Sequence, residues 1–287
     1  ARVRSAREIG IAFGAAVAFF AIGVACLGPA AWTDYLALLT RHGAAEATIL
    51  IQHTPAAIAY GLGLAPDAAH VTGIVVAAVA ALLAGGAIVG ARLAGLDATL
   101  VALGALPLAV PFFHEHDFVV LIVPALVLAY RARGAALALA SCASVLGLVD
   151  WLGFAQRVPQ QTQNACLAAA VALAFVLLAG MRRAAFAGPL LLAVLLAVFI
   201  PLARAHPAPT WPDTLALTYH APVALDASGV WEDEQRTAGL EQRDPVWALL
   251  RTLPLAGSAL FAVAVLLPAG GAERRSRKAA RAATDSG

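Results

Sequence analysis

At 287 residues, 61% hydrophobic and only 13% charged, this chain falls well outside soluble domains, which carry about 25% charged residues. Its mean hydropathy is +0.83 and its formal net charge +2, and no nucleic-acid partner is expected of it. Apolar runs rich in Ala and Leu recur from end to end, each long enough or nearly so to cross about 30 Å of hydrocarbon as a helix. Barrel strands would alternate and be about ten residues long, so an all-α, polytopic helical membrane protein is predicted.

The chain opens at Ala1 with a basic stretch (Arg2, Arg4, Arg7) that leads straight into an apolar run, without a signal-peptide cleavage pattern. It reads as a piece of something longer or a processed product. About eight transmembrane helices are predicted, at 9–28, 70–91, 98–113, 118–130, 135–153, 165–181, 187–203 and 248–269. Eight crossings put both termini on one side. With the termini inside, thirteen of the nineteen basic residues lie on the inner side and thirteen of the seventeen acidic residues on the outer side. That is the positive-inside pattern, and it places the protein in the cell membrane with cytoplasmic termini. All seven histidines and all five tryptophans fall on the outer side or its interface, so the chemistry is expected there.

The resulting organisation is a membrane bundle over 1–204 with an outer interfacial segment at 29–69. An outer loop (205–247), a last transmembrane helix (248–272) and a basic cytoplasmic tail (273–287) follow. Within the interfacial segment, Trp32, Tyr35, Leu36 and Leu39 recur at helical spacing, which predicts an amphipathic helix over 31–41. The polar spot Gln52-His53-Thr54 then precedes Pro55 and an apolar run to Leu64 too short to span, predicting a re-entrant or interfacial helix. The 43-residue loop 205–247 carries aromatic and acidic residues but no clear secondary structure. Cys26, Cys142 and Cys166 form neither a disulfide framework nor a metal signature, and no cofactor is expected.

The densest polar group within the apolar region is His114-Glu115-His116-Asp117, between two apolar runs. So many ionisable groups at membrane depth must face water, a partner or a substrate. Three readings stand side by side. The group marks a plain loop, it forms part of a metal site for which two histidines and an acid are an incomplete ligand set, or it contacts a substrate. In the third reading His114 and His116 reach a phosphate oxygen or an acceptor hydroxyl. Asp150 sits near an outer span end, where an idle carboxylate would be costly. Arg157, Arg204 and Arg251 also lie at outer ends, where an arginine can pair with phosphate or with headgroups.

The run Gly28-Pro29-Ala30-Ala31-Trp32-Thr33-Asp34-Tyr35, the spot at Gln52-His53-Thr54, and Pro111-Phe112-Phe113-His114-Glu115-His116-Asp117 leading to Pro124 together resemble the C-terminal half of glycosyltransferase family 87. That family is mannosyltransferase-like and belongs to the GT-C superfamily. The resemblance covers roughly residues 10 to 135. His116 falls at the family's first turn histidine and Gln52 at its glutamine, whereas His114 stands in place of a Trp and Asp117 in place of a second His. It implies a GT-C-like fold, a polyprenyl-phosphate sugar donor, and a lipid or glycan acceptor at the outer leaflet. It also implies His116, His114 and Asp117 as catalytic candidates, with Glu115, Gln52, His53, Trp32 and Tyr35 binding substrate among membrane lipids; Asp150 and Arg204 join the substrate-binding candidates from their place at outer span ends. GT-C enzymes generally carry a catalytic acid in the first outer loop, and that loop here offers only Asp34 and Glu46, neither in a matching context. The competing expectations are a transporter or flippase-like protein, which would want ionisable groups at mid-membrane, and an inactive C-terminal fragment.

Overall fold

The computed structural model describes residues 6–49, 51–93, 95–155, 158–206 and 215–267. Among these, the elements are α1 (Ala6–Glu46), α2 (Pro55–Gly61), α3 (Pro66–Gly90), α4 (Leu96–Ala109), α5 (Ile122–Arg131), α6 (Gly134–Gly147), α7 (Val158–Leu178), α8 (Ala187–Ala205), α9 (Leu215–Thr218), α10 (Ala227–Thr237) and α11 (Pro245–Leu266). Short 3₁₀ turns lie at Glu115–Leu121, Gly153–Ala155 and Arg183–Phe186. The protein is an all-α membrane protein. Five helices are long and apolar enough to cross a bilayer: α1, α3, α7, α8 with its leading turn, and α11. The predicted crossings at 98–113, 118–130 and 135–153 are helical but short, with 14, 10 and 14 residues in α4, α5 and α6. At 1.5 Å per residue these rise only about 15–21 Å.

The predicted first span and the interfacial helix form one element, α1, bent at Gly28. Gly28 takes φ 81° and ψ 160°, which only glycine adopts freely, and Pro29 follows it. The bend brings the Trp32 ring to 4.9 Å from that of Phe20 and 5.9 Å from that of Tyr35. The predicted re-entrant helix is α2, with Pro55 in its first turn and Thr54 Oγ1 accepting from the N–H of Ala57 at 3.2 Å.

The core is built around α11, which packs on α4 and α6. A Cβ at Gly257 would stand 2.6 Å from the Gly147 nitrogen, and one at Gly104 would stand 2.9 Å from the Ala262 nitrogen. Helices in lipid gain little from hiding apolar surface and associate instead by close approach across small residues. At the opposite end from the His114 turn, Arg182 donates to the carbonyl oxygens of Ala129, Ala132 and Ala179, the last carbonyls of α5 and α7. Arg131 pairs with Asp97 at 2.8 Å, joining α5 to α4.

Residues 215–247 of the predicted loop carry more secondary structure than their sequence suggests. They hold α9 and α10, and Asp226 caps α10 by accepting from the Gly229 N–H at 2.9 Å. That helix packs on the C-terminal end of α1, where Arg41 pairs with Asp226. The basic tail 273–287 and Arg157 lie outside the described residues.

Candidate functional site

The site begins with two stretches of non-helical backbone that need hydrogen-bond partners. After α1 the chain turns at Ala47–Thr48 and reaches Gln52 outside any helix, and after α4 it runs without helix from Val110 to His114. The two stretches meet in a single antiparallel bridge between Gln52 and His114. The His53 N–H donates to the Phe113 carbonyl at 2.8 Å, and the Phe113 N–H donates to Gln52 Oε1 at 2.9 Å. Buried backbone groups are rarely left unpaired, so this short bridge is what lets both stretches lie inside the bundle. It brings the predicted Gln52-His53 spot and the predicted His114–Asp117 turn together, 62 residues apart in sequence.

His114 is the N-cap of the 3₁₀ turn. Its N–H donates to Asp117 Oδ2 at 2.8 Å, and the Asp117 N–H donates back to the His114 carbonyl at 3.1 Å. The ring of His116 stacks on that of His114 with centroids 5.2 Å apart. His116 Nε2 lies 3.6 Å from Asp117 Oδ1, with its side chain 75% exposed. Four of the predicted residues therefore share one turn at the rim.

Beneath the turn sits Glu46, the last residue of α1 and 1% exposed. Its Oε1 accepts from Trp231 Nε1 of α10 at 2.6 Å and lies 3.0 Å from His42 Nε2. Its Oε2 lies 3.2 Å from His114 Nε2 and accepts from Gln52 Nε2. One carboxyl thus ties together α1, the bridged segment, the His114 turn and α10. Sequence reasoning placed Glu46 in the first outer segment but gave it no context. The available signal was His42, Glu46 and then Gln52, with the first two on one face at i and i+4.

Arg251 was predicted at the surface of an outer span end. It is 1% exposed in α11 and donates to the carbonyl oxygens of Ile49 at 3.2 Å, Gln52 at 3.5 Å and Trp247 at 3.4 Å. It holds the bridged segment and does not meet headgroups. Above it, the His53 imidazole is buried with no hydrogen-bond partner on either ring nitrogen and packs edge-on against Phe118 at 5.4 Å. Burial first, then the Arg251 and His114 charges, lower its pKa to about 3, so the ring is neutral.

Beside the bridge lies a cavity of about 510 Å³ between α5, α6 and α7. Phe118, Ile122, Leu126, Leu148, Leu167 and Phe175 make its apolar walls, while His53, Glu115, His116 and Asp150 collect on its polar side. Asp150 keeps Oδ1 buried and unpartnered, and burial raises its pKa against the backbone N–H groups of Gly153 and Leu152, which lower it. Glu115 is exposed as a residue, yet its carboxyl lies against apolar wall. That desolvation, together with the nearby Asp150 charge, raises its pKa to about 7 even though His114 pulls the other way. Glu115 and Asp150 therefore form a pair of reluctantly ionised carboxyls at the head of an apolar groove.

No family model, curated protein or solved structure matches this chain.

Three predicted residues stand apart. Trp32 and Tyr35 pack on one another beyond the Gly28 bend, and Arg204 is exposed in the last turn of α8; none of them lines the cavity. A second cavity of about 430 Å³ lies beside the same bridged segment, lined by Leu39, Ala47, Thr54, His70, Ile74 and Pro111. His53 and Thr54 are neighbours in the chain, and each lines a different cavity.

Proposed function

We propose that the protein is a membrane glycosyltransferase that moves a hexose, mannose-like in type, from a polyprenyl-phosphate donor to a lipid or glycan acceptor at the outer face of the cell membrane. The supporting observation is the 510 Å³ apolar groove that ends in Glu115, His116, Asp150 and His53. Such a groove suits a ligand with a long apolar chain and a small polar head, since apolar walls hold the chain and a few convergent polar groups fix the head.

In this reading the bond between the sugar C1 and the phosphate oxygen breaks, and its electron pair leaves on the lipid phosphate. The acceptor oxygen bonds to C1, and its proton passes to Glu115 or Asp150. A carboxylate with a pKa near 7 is well matched to that task, because it is half ionised at neutral pH and basic enough to take the proton. His53, neutral and offering one N–H and one lone pair, is suited to orient a sugar hydroxyl. The second cavity, on the Thr54 side, gives room for the chain of a lipid acceptor. This reading takes the fold as GT-C-like with eight crossings and cytoplasmic termini, and it is supported by the site lying on the side away from Arg131 and Arg182.

The test is transfer of radiolabelled hexose from a synthetic polyprenyl-phosphate hexose into a lipid or glycan fraction by the purified chain in proteoliposomes. Glu115→Gln should lower the rate by roughly 10²–10⁴-fold while the protein remains folded. Solute uptake by the same vesicles without any sugar transfer would favour a transporter and sink the proposal.

A further inference from the structure

The rim raises a problem of charge. Glu46, Glu115, Asp117 and Asp150 gather within or next to it, and no Lys or Arg is among the described residues lining the groove. Arg251 is committed to backbone carbonyls below. Among the described residues a phosphate head placed there would meet carboxyls without a counter-charge, and an anion at such a site needs a cation beside it.

We infer that His114, His116 and Asp117 bind a divalent transition-metal ion of the zinc or manganese class, set at the polar head of the groove. One ligand atom from each of the three falls within 4.8 Å of the others, and two histidines with one carboxylate are a set that such ions accept while keeping open positions. The surroundings of His114 argue for the same assignment. Nε2 of His114 is engaged by two buried groups, 3.2 Å from Glu46 Oε2 and 3.0 Å from the Gln52 amide nitrogen. Nδ1 is then the ring nitrogen of His114 left to offer its lone pair to an ion. A buried carboxylate fixing the far nitrogen of an imidazole is the usual support behind a metal-bound histidine. Gln52, held by the Phe113 N–H at 2.9 Å, in turn fixes Glu46. His116 and Glu115 line the groove, so the open positions of the ion face the ligand's head. The ion would draw a phosphate oxygen and take up the negative charge that builds as the phosphate leaves.

The ion's role rests on the donor proposed above, but its binding does not, and the two are read separately. The purified full-length chain, stripped with EDTA and desalted, is titrated with Zn²⁺ alone and with Co²⁺ alone, without any lipid. Tight binding of one equivalent, with the visible absorption of low-symmetry Co²⁺, is expected. His116→Ala should weaken it by roughly tenfold or more. The side chain of His116 is 75% exposed, so this variant tests ligation without disturbing the fold. His220→Ala, in the outer loop, should bind as wild type does. No bound equivalent, or unchanged affinity in His116→Ala, overturns the site. Affinity for a polyprenyl phosphate is then measured with and without the ion. Lipid-phosphate binding that is indifferent to EDTA overturns the ion's role, and absent lipid binding beside intact metal binding overturns the donor assignment alone.

Discussion

Replacing Glu46 with Gln tests the hub most directly. The change keeps size and shape but exchanges one acceptor oxygen for an NH₂ group, which points a donor at donors. The remaining oxygen can serve either the Trp231–His42 side or the His114–Gln52 side, but not both. Leaving a buried donor unpaired costs about 1–3 kcal/mol. Trp231 and His42 are only half-buried and can turn to water, so they are the pair released. The expected loss is therefore about 2–4 kcal/mol, toward the lower end of breaking two buried bonds. Because the released pair includes the tie to α10, the loss should be local. Limited proteolysis in 219–244 and amide exchange at 42–54 should rise well before the α4–α6–α11 core opens. In a double-mutant cycle, Trp231→Phe should couple to Glu46→Gln by about 1 kcal/mol or more, since both remove the same 2.6 Å bond. Unchanged denaturant midpoint and unchanged exchange in Glu46→Gln would refute the reasoning.

His53 has a folded pKa below its unfolded value of about 6.5, so the unfolded chain binds the extra proton first. Stability from this residue is complete above pH 6.5 and falls by about 1.4 kcal/mol per unit as pH drops toward 3; denaturant titrations of wild type against His53→Gln check the slope. Glu115 has the opposite sense, protonated below about pH 7, so the rate should fall on the acid side of that value. Asp150→Asn removes a neighbouring negative charge and should move that limb to lower pH in a transfer assay. Gly257→Val drives a side chain into the Gly147 backbone and should cost about 1–3 kcal/mol, read as lower yield of monodisperse protein and a lower denaturation midpoint; a variant as stable as wild type would show that α6 and α11 can move apart freely.

Much of the helical framework was open to reading, because long apolar runs between basic clusters have few alternatives in lipid. Thr54-Pro55 signalled α2 correctly, and His114–Asp117 stood out by charge alone. What escaped was everything that depends on distant contact. The Gln52–His114 bridge has no periodicity to betray it. Glu46 looks like any helix-end acid until four donors from four parts of the chain converge on it. Arg251 sits near a predicted span end, where an arginine normally meets headgroups, and only the packing of α2 on α11 encloses it. Trp32 and Tyr35 were drawn toward the site by the family resemblance, and beyond the bend at Gly28 they pack on Phe20 and on each other instead. The segments 98–113 and 118–130 read as full spans because hydropathy does not register the non-helical chain at 110–114 or the 3₁₀ turn that follows it.

The single bridge at Gln52 and His114 has a consequence for how the chain is made. Segments 51–54 and 111–114 satisfy part of their main-chain polarity on each other, and Arg251 supplies more from near the far end of the chain. Neither segment could rest stably in hydrocarbon while the other was still in the ribosome. Biogenesis must therefore hold the first one in the aqueous vestibule of the translocon or at the bilayer surface until α4 has emerged. Its final seating waits for α11, so a nascent chain stalled before that helix would display an open polar seam to quality-control proteases.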